Sequence, residues 1–232
     1  MLRYVQNMKQ PQFLLQGCSK YYLHEPRDAV YTVSNTYVSA SKTIRELSTG
    51  IVALLLSWNS RFYNVSDPNW RLRPLLAASI ESILTKLDSD LKSLKGHDLA
   101  SIDMQSLGSK VTRIYQAFAA HKSVGWIGAA KAIHLLKPDL FVPWDNGISS
   151  AFHRIHGSYG QRGSTMCADN ASCYFEFMKN CQDIASELLQ KSSKEKLSRE
   201  HPAFKEMGQT REIPKMIDEC NIVYITGKST WS

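Results

Sequence analysis

Apolar residues recur with a helical period along most of this chain, and that pattern constrains the fold more than any other feature. Segments near 73–93 and 106–121 are amphipathic by this criterion, and "CYFEFMKNCQDIASELLQ" is a clear helix. Ser41 or Thr43 could cap a helix that runs to about Leu47. The run "STGIVALLLSWNSRFY" continues as an almost wholly apolar helix, which should be buried on most sides. The periodicity predicts a mostly α fold.

Two segments instead favour short strands. "DAVYTVSNTYV" is rich in β-branched and aromatic residues, and we interpret 29–34 as a strand. "NIVYITG", near the other end of the sequence, is the second. Because neither would be stable alone, we expect both to be peripheral and to pair or to pack on the helical body.

The length and composition are those of a globular protein. A chain of 232 residues with 43% apolar and 21% charged residues can bury a substantial core, as one domain or as two closely joined lobes. "GIVALLLSW" is too short to cross a membrane, and the first residues do not indicate export. We therefore expect a cytoplasmic protein without a membrane partner.

The cysteines do not suggest a disulfide framework or a metal site. Five are present, an odd number, and the spacing C-x5-C-x7-C in the group at 167, 173 and 181 fits no zinc or iron–sulfur pattern. The sequence predicts neither a metal nor another cofactor. The net charge of +7 and the pI of about 9.1 make nucleic acid a partner worth testing.

The stretch "HLLKPDLFVPWDNGI" places a carboxylate directly after an apolar run. Pro138 ends one helix, and Pro143 prevents the segment from continuing helically. We expect the next helix to start at or just after Asp145 and to run to about His156. Asp145 is either only the N-cap of that helix or a cap that also aims an acid at chemistry. Both roles are compatible, because the positive end of the helix dipole keeps an acid ionised.

Two pieces of the sequence resemble the helix-hairpin-helix DNA glycosylase superfamily. "GWIGAAKAIHLLKPDLFVPWDNGI", within residues 124–148, is similar to the family's core of Gly turn, helix, Pro, apolar stretch and essential Asp. "IVALLLSWNSRFY", residues 51–63, resembles its early buried helix, whose polar end enters the DNA-facing cleft. The resemblance implies an all-α fold of two lobes within 1–232, with about 70–150 in one lobe and the early and late helices in the other.

The family's chemistry is base flipping followed by cleavage of the N-glycosidic bond. The resemblance implies that Asp145 stabilises the oxocarbenium-like sugar of the transition state. In the lyase-competent branch a Lys forms a Schiff base with the sugar, and both Lys122 and Lys131 are eligible. Lys122 directly precedes the Gly turn, whereas Lys131 lies inside the following helix. A glycosylase without lyase activity stays an alternative.

Double-stranded DNA is then the expected partner, without an obligate protein partner. Asn59 and Arg61 would fill the space left by the flipped nucleotide or read the base opposite, or they would simply cap a helix end. Trp126 and Trp144 would stack on the flipped base, or they would be core aromatics. The set predicted to face nucleic acid comprises Asn59, Arg61, Gly125, Trp126, Gly128, His134 and Trp144.

Two non-enzymatic alternatives remain open. The usual "L-P-G-V-G" hairpin is not legible, which favours a nucleic-acid-binding module that has kept the fold without the chemistry. The other alternative is an all-α interaction protein in which "WDN" is only structural. Lysines and arginines clustered around Asp145, namely Lys122, Lys131, Lys137 and Arg154, would favour nucleic acid, and their dispersal would favour an interaction protein.

Overall fold

A computed structural model of the chain describes residues 2–58, 73–156 and 171–225, and within these ranges it contains twelve helices and no strand. The mostly α prediction is therefore confirmed. The helices are α1 (Leu2–Met8), α2 (Pro11–His24), α3 (Asp28–Ala40), α4 (Ile44–Trp58), α5 (Arg73–Ser93), α6 (Met104–Ala119), α7 (Gly125–Leu136), α8 (Asn146–His156), α9 (Ala171–Lys191), α10 (Lys194–Glu200), α11 (Pro202–Met207) and α12 (Ile213–Ile225).

Both predicted strands are wrong. Residues 29–34 lie inside α3, whose buried side chains Asp28, Tyr31, Ser34 and Val38 recur every three or four positions. That helical spacing sets the structure, because long-range burial overrides the β propensity of the segment. The described part of "NIVYITG", residues 221–225, is the last turn and a half of α12.

The predicted helix starts agree better with the structure because they depend on local chemistry. Thr43 is the residue that caps α4, as one of the two alternatives predicted. Its hydroxyl accepts a hydrogen bond from the Glu46 N–H at 3.2 Å, and the Glu46 carboxylate accepts one from the Thr43 N–H at 2.9 Å. This reciprocal arrangement is a capping box. The helices expected near 73–93 and 106–121 correspond to α5 and α6.

The last helix packs against both early and late helices. α12 contacts α2, α8 and α9, while α7 lies between α3, α4 and α6. One hydrophobic cluster includes buried residues from Met8 to Cys220, so it draws on both ends of the described chain. The division into two lobes stays a prediction. In the described part of the chain, no helix combines the length and the apolar character needed to cross a membrane.

Almost every residue of α7 from Gly128 to Leu135 is buried. A helix so enclosed ordinarily carries apolar side chains all round. Here it carries Lys131 and His134 as well, and these two residues lead to the candidate site. The described cysteines, at 18, 173, 181 and 220, are buried.

Gly17 marks the close approach of α2 to α12, and its substitution tests that packing. A Cβ atom at this position would lie 2.8 Å from Cys220 Sγ and 3.2 Å from Cys220 Cα. Gly17→Ala should lower the free energy of unfolding by about 1–2 kcal/mol, because overpacking outweighs the gain of about 1 kcal/mol in helix propensity. Urea denaturation measures it. Gln16→Ala, at an exposed position of the same helix, is the control, and a stabilised Gly17→Ala protein would contradict the packing described.

Candidate functional site

Asp145 opens α8, as predicted. Its Oδ1 accepts a hydrogen bond from the Ile148 N–H at 2.9 Å, and its carbonyl accepts one from the Ser149 N–H at 2.9 Å. Asp145 is half-buried, so its carboxylate is both fixed by the cap and partly open to solvent. The structural role of Asp145 is thus established, and its catalytic role stays a prediction.

Lys131 is a buried lysine close to that acid. It is 9% exposed, and its Nζ donates a hydrogen bond to the Trp58 carbonyl at 2.8 Å. Burial lowers the pKa of Lys131 to about 8, although the nearby carboxylates of Asp145 and Asp218 act in the opposite direction. The fold therefore brings Lys131 and Asp145 into electrostatic contact. Lys122, the other predicted nucleophile, is exposed in the turn before α7.

Trp58 joins three parts of the chain at this point. It is the last residue of α4, where a helix leaves carbonyl groups without intrahelical partners and where its dipole favours a cation. One of these carbonyls accepts the Lys131 hydrogen bond. The indole Nε1–H donates to the Arg27 carbonyl at 2.7 Å, and the indole ring stacks on Tyr31 with 5.5 Å between the centroids. Lys131 is therefore held by a well-fixed acceptor.

A second buried lysine, which the sequence interpretation missed, faces the same indole. Lys215 on α12 has no exposed surface, and its Nζ lies 4.3 Å from the ring centroid of Tyr21, 4.8 Å from that of Trp58 and 5.0 Å from that of Tyr31. Three aromatic rings thus surround one ammonium group, which favours its charged form.

Carboxylates on the same helix complete the surroundings of Lys215. Its Nζ is 3.1 Å from Asp218 Oδ2 and 3.5 Å from Glu219 Oε1. Burial lowers the pKa of Lys215, but Tyr21, Asp218 and Glu219 outweigh this effect and raise the pKa well above its usual value. Burial also raises the pKa of Asp218 to about 6, although Lys215 opposes this shift. The signal in the sequence was "PKMIDEC", in which ionisable residues at i, i+3 and i+4 interrupt an apolar helix.

Glu219 lies at the centre of a wider buried ion network. Its Oε1 is 3.5 Å from Arg211 Nε, and its Oε2 is 2.7 Å from His201 Nε2. Burial alone would raise the pKa of Glu219, but His201, Lys215 and Arg211 together hold it well below its usual range. Arg211 also pairs with Asp28 at the start of α3. The network therefore ties α12 to α3 and to the beginning of α11.

His134 is satisfied within the protein. Its Nδ1 lies 2.7 Å from the Phe141 carbonyl, which can only accept, so Nδ1 carries the proton. Its Nε2 therefore accepts from the Tyr31 hydroxyl at 2.9 Å. Burial lowers the pKa of His134 to about 3, so the ring is neutral near pH 7. With 1% of its surface exposed, His134 does not offer the contact with nucleic acid that we predicted from the sequence.

The tryptophans and glycines predicted to face nucleic acid differ in their exposure. Trp144 has no exposed surface and packs edge-on against Tyr174 at 5.2 Å between centroids, so it is a core residue in this structure. Trp126 is half-buried and keeps some surface. Gly125 begins α7 with a φ of 67°, a conformation that favours glycine, and Gly128 is buried inside that helix. Of these four residues, only Gly125 and Trp126 are not fully buried.

The described side chains do not form a basic cluster around Asp145. Lys122 and Lys137 flank opposite ends of α7, whose 12 residues span about 18 Å. Of the three lysines at 122, 131 and 137, only Lys131 lies within electrostatic range of Asp145. Arg27 also interacts electrostatically with Asp145. Asn59 and Arg61, together with the Arg154 side chain, lie outside the described parts. The basic-surface criterion for nucleic acid is therefore not met by the described lysines.

Cys18, His201 and Glu219 place ligand-type atoms within 4.8 Å of one another. The hydrogen bonds there use the same atoms. His201 Nδ1 accepts the Ala203 N–H at 3.0 Å, so its Nε2–H donates to Glu219. The cations of Lys215 and Arg211 also lie beside Glu219 and would repel a metal ion. The group is better explained as part of the ion network than as a metal centre.

Comparisons of this chain with protein-family models, with curated proteins and with solved structures found no match.

The neutral His134 makes folding stability depend on pH. The folded protein keeps the imidazole unprotonated down to about pH 3, whereas the unfolded chain takes up a proton below about pH 6.5. Stability from this residue is therefore fully present above about pH 6.5. It should fall by up to about 1.4 kcal/mol for each pH unit between those values.

Urea unfolding at pH 7, 5.5 and 4.5 tests this dependence. His134→Gln should be less stable at pH 7, yet it should lose stability less steeply than the unsubstituted protein as the pH falls. His97→Gln, at an exposed position, is the matched control. Equal slopes for His134→Gln and the unsubstituted protein would show that His134 does not stay neutral in the fold.

Proposed function

We propose that this protein is a DNA base-excision glycosylase with lyase activity, in which Lys131 is the nucleophile and Asp145 stabilises the developing sugar cation. The observation that carries the proposal is a buried lysine that lies within electrostatic range of a capped acid. Lys131 keeps 9% of its surface exposed, Asp145 is half-buried, and the two lie within electrostatic reach of each other.

The state of the Lys131 amine supports this role. A lysine attacks carbon only when it is neutral. With the pKa of Lys131 lowered by burial to about 8, roughly one amine in ten is neutral at pH 7. An ordinary lysine, with a pKa near 10.4, is neutral in fewer than about one in a thousand molecules. The lowered pKa therefore raises the concentration of the nucleophile by more than a hundredfold.

The proposed reaction uses Lys131 and Asp145 in sequence. As the bond between sugar C1′ and the base breaks, the base leaves with the electron pair and the sugar gains positive charge. The Asp145 carboxylate, fixed by the Ile148 N–H, stabilises that charge. The neutral Lys131 nitrogen then forms a bond to C1′ and loses a proton. The C1′–O4′ bond breaks as the nitrogen lone pair forms the Schiff base, and O4′ takes up a proton as the sugar ring opens. The half-exposed Trp126 takes the base-stacking role proposed for tryptophan.

Trapping of the Schiff base tests the nucleophile. A duplex that contains an abasic site should be cross-linked to the protein by borohydride, whichever base the enzyme normally removes. Lys131→Gln should abolish the cross-link, because it removes the only amine held beside Asp145 among the described lysines. Denaturing gel electrophoresis measures the cross-linked species.

Lys122→Gln is the matched control, since it removes an exposed lysine near the same helix. Its cross-link should persist at the level of the unsubstituted protein. Loss of the cross-link in Lys122→Gln with retention in Lys131→Gln would transfer the role to Lys122. No cross-link in the unsubstituted protein would leave a glycosylase without lyase activity or a non-catalytic nucleic-acid-binding module.

Asp145→Asn tests the acid separately from the cap. Asn is a good N-cap, so the start of α8 and the melting temperature should be preserved. Base excision from a panel of lesion-bearing duplexes should fall by roughly 10²-fold or more, because Asn carries no charge to stabilise the sugar cation. Excision that is unchanged in a folded Asp145→Asn protein would rule out the catalytic role.

A further inference from the structure

Two buried lysines approach one indole from different helices. The Nζ of Lys131 lies 5.7 Å from the Trp58 ring centroid, and the Nζ of Lys215 lies 4.8 Å from it. Lys131 also donates to the carbonyl of the same tryptophan at 2.8 Å. Trp58 therefore places the two amines in a shared, water-poor environment, where charges act on each other more strongly than in water.

The partners of the two lysines are very unequal. Lys215 has three aromatic rings and two carboxylates within contact distance, and each of these favours its ammonium form. The Lys131 amine instead donates to a neutral carbonyl, and the carboxylates of Asp145 and Asp218 act on it from further away. Lys215 is thus a fixed positive charge, whereas Lys131 is the amine that can give up its proton.

We propose that Lys215 and Asp218 are positioning residues for Lys131, which set the neutral fraction of its amine from the neighbouring helix α12. The positive charge of Lys215 favours the neutral, nucleophilic form, and the carboxylate of Asp218 favours the protonated form. An adjacent cation is an established way to activate a lysine nucleophile. The proposal rests on Lys131 being the nucleophile of the proposed function.

In the described part of the chain, four charged groups from three segments act on Lys131. Asp145 before α8 and Asp218 on α12 favour its ammonium form, while Arg27 before α3 and Lys215 on α12 favour the neutral amine. Lys215 and Asp218 are the most enclosed of the four, with 0% and 2% of their surface exposed. Salt therefore screens these two least, and their influence on Lys131 should persist at high ionic strength.

The test is whether substitution of the two members of the Lys215–Asp218 ion pair shifts the pH midpoint of Lys131 methylation in opposite directions. Reductive methylation with formaldehyde and cyanoborohydride modifies only neutral amines. Peptide mass spectrometry then measures the methylation of Lys131 separately from that of the other lysines. Asp218→Asn should move the pH midpoint of Lys131 methylation downward, and Lys215→Met should move it upward. Each shift should be roughly one pH unit, a tenfold change in rate at fixed pH. Equal midpoints, or shifts in one direction for both variants, would overturn the proposal.

Lys122 is the internal control in the same digest, because it is exposed and outside the network. Its rate of methylation at a fixed pH should be equal in all three proteins. Lys215→Met leaves buried carboxylates without their cation and is the variant at risk of not folding. In that case Asp218→Asn, which keeps the shape of the side chain, decides alone, and an upward shift or no shift refutes the proposal.

The reagent contains no DNA, so the two proposals fail in distinguishable ways. Opposite midpoint shifts without any borohydride cross-link to an abasic duplex would support the influence of Lys215 and Asp218 on Lys131 and would reject lyase activity. A cross-link that depends on Lys131, with unchanged midpoints in both α12 variants, would retain the lyase and reject the role of Lys215 and Asp218.

Discussion

The structure depends on the burial of one carboxylate, Glu219. A carboxylate with no exposed surface would destabilise the fold by several kcal/mol if it were unpaired. Here His201, Lys215 and Arg211 surround it, and Arg211 extends the network to Asp28 on α3. Because these groups come from both ends of the described chain, the burial of Glu219 on α12 depends on packing against the early helices.

This network also positions the residues of the candidate site. By fixing α12, it presents Lys215 and Asp218 to the end of α4, where Trp58 holds Lys131. Asp145 joins from the start of α8. The candidate site therefore consists of residues that are distant in sequence but held by packed helices, which suits the nucleophilic role proposed for Lys131.

The parts of this arrangement that the sequence predicted are those with local causes. Pro138 and Pro143 act on the backbone within one or two residues, so the start of α8 at Asp145 followed from them. The strand expected at 29–34 failed because Tyr31 is buried by contacts with distant helices, and propensity does not register such contacts. For the same reason the surroundings of Lys215 could not be predicted, although the charges of "PKMIDEC" in an apolar helix were a visible signal.

The hydrogen bond from Lys131 to the Trp58 carbonyl limits what mutagenesis can reveal about this site. The group that holds Lys131 is a main-chain carbonyl, which every amino acid carries, so no codon change at position 58 deletes the acceptor itself. A library of all substitutions at position 58 would report the effect of losing the indole. It would not report the contribution of the main-chain carbonyl. Chemical synthesis that replaces the following peptide bond with an ester, a weaker acceptor, addresses that atom directly.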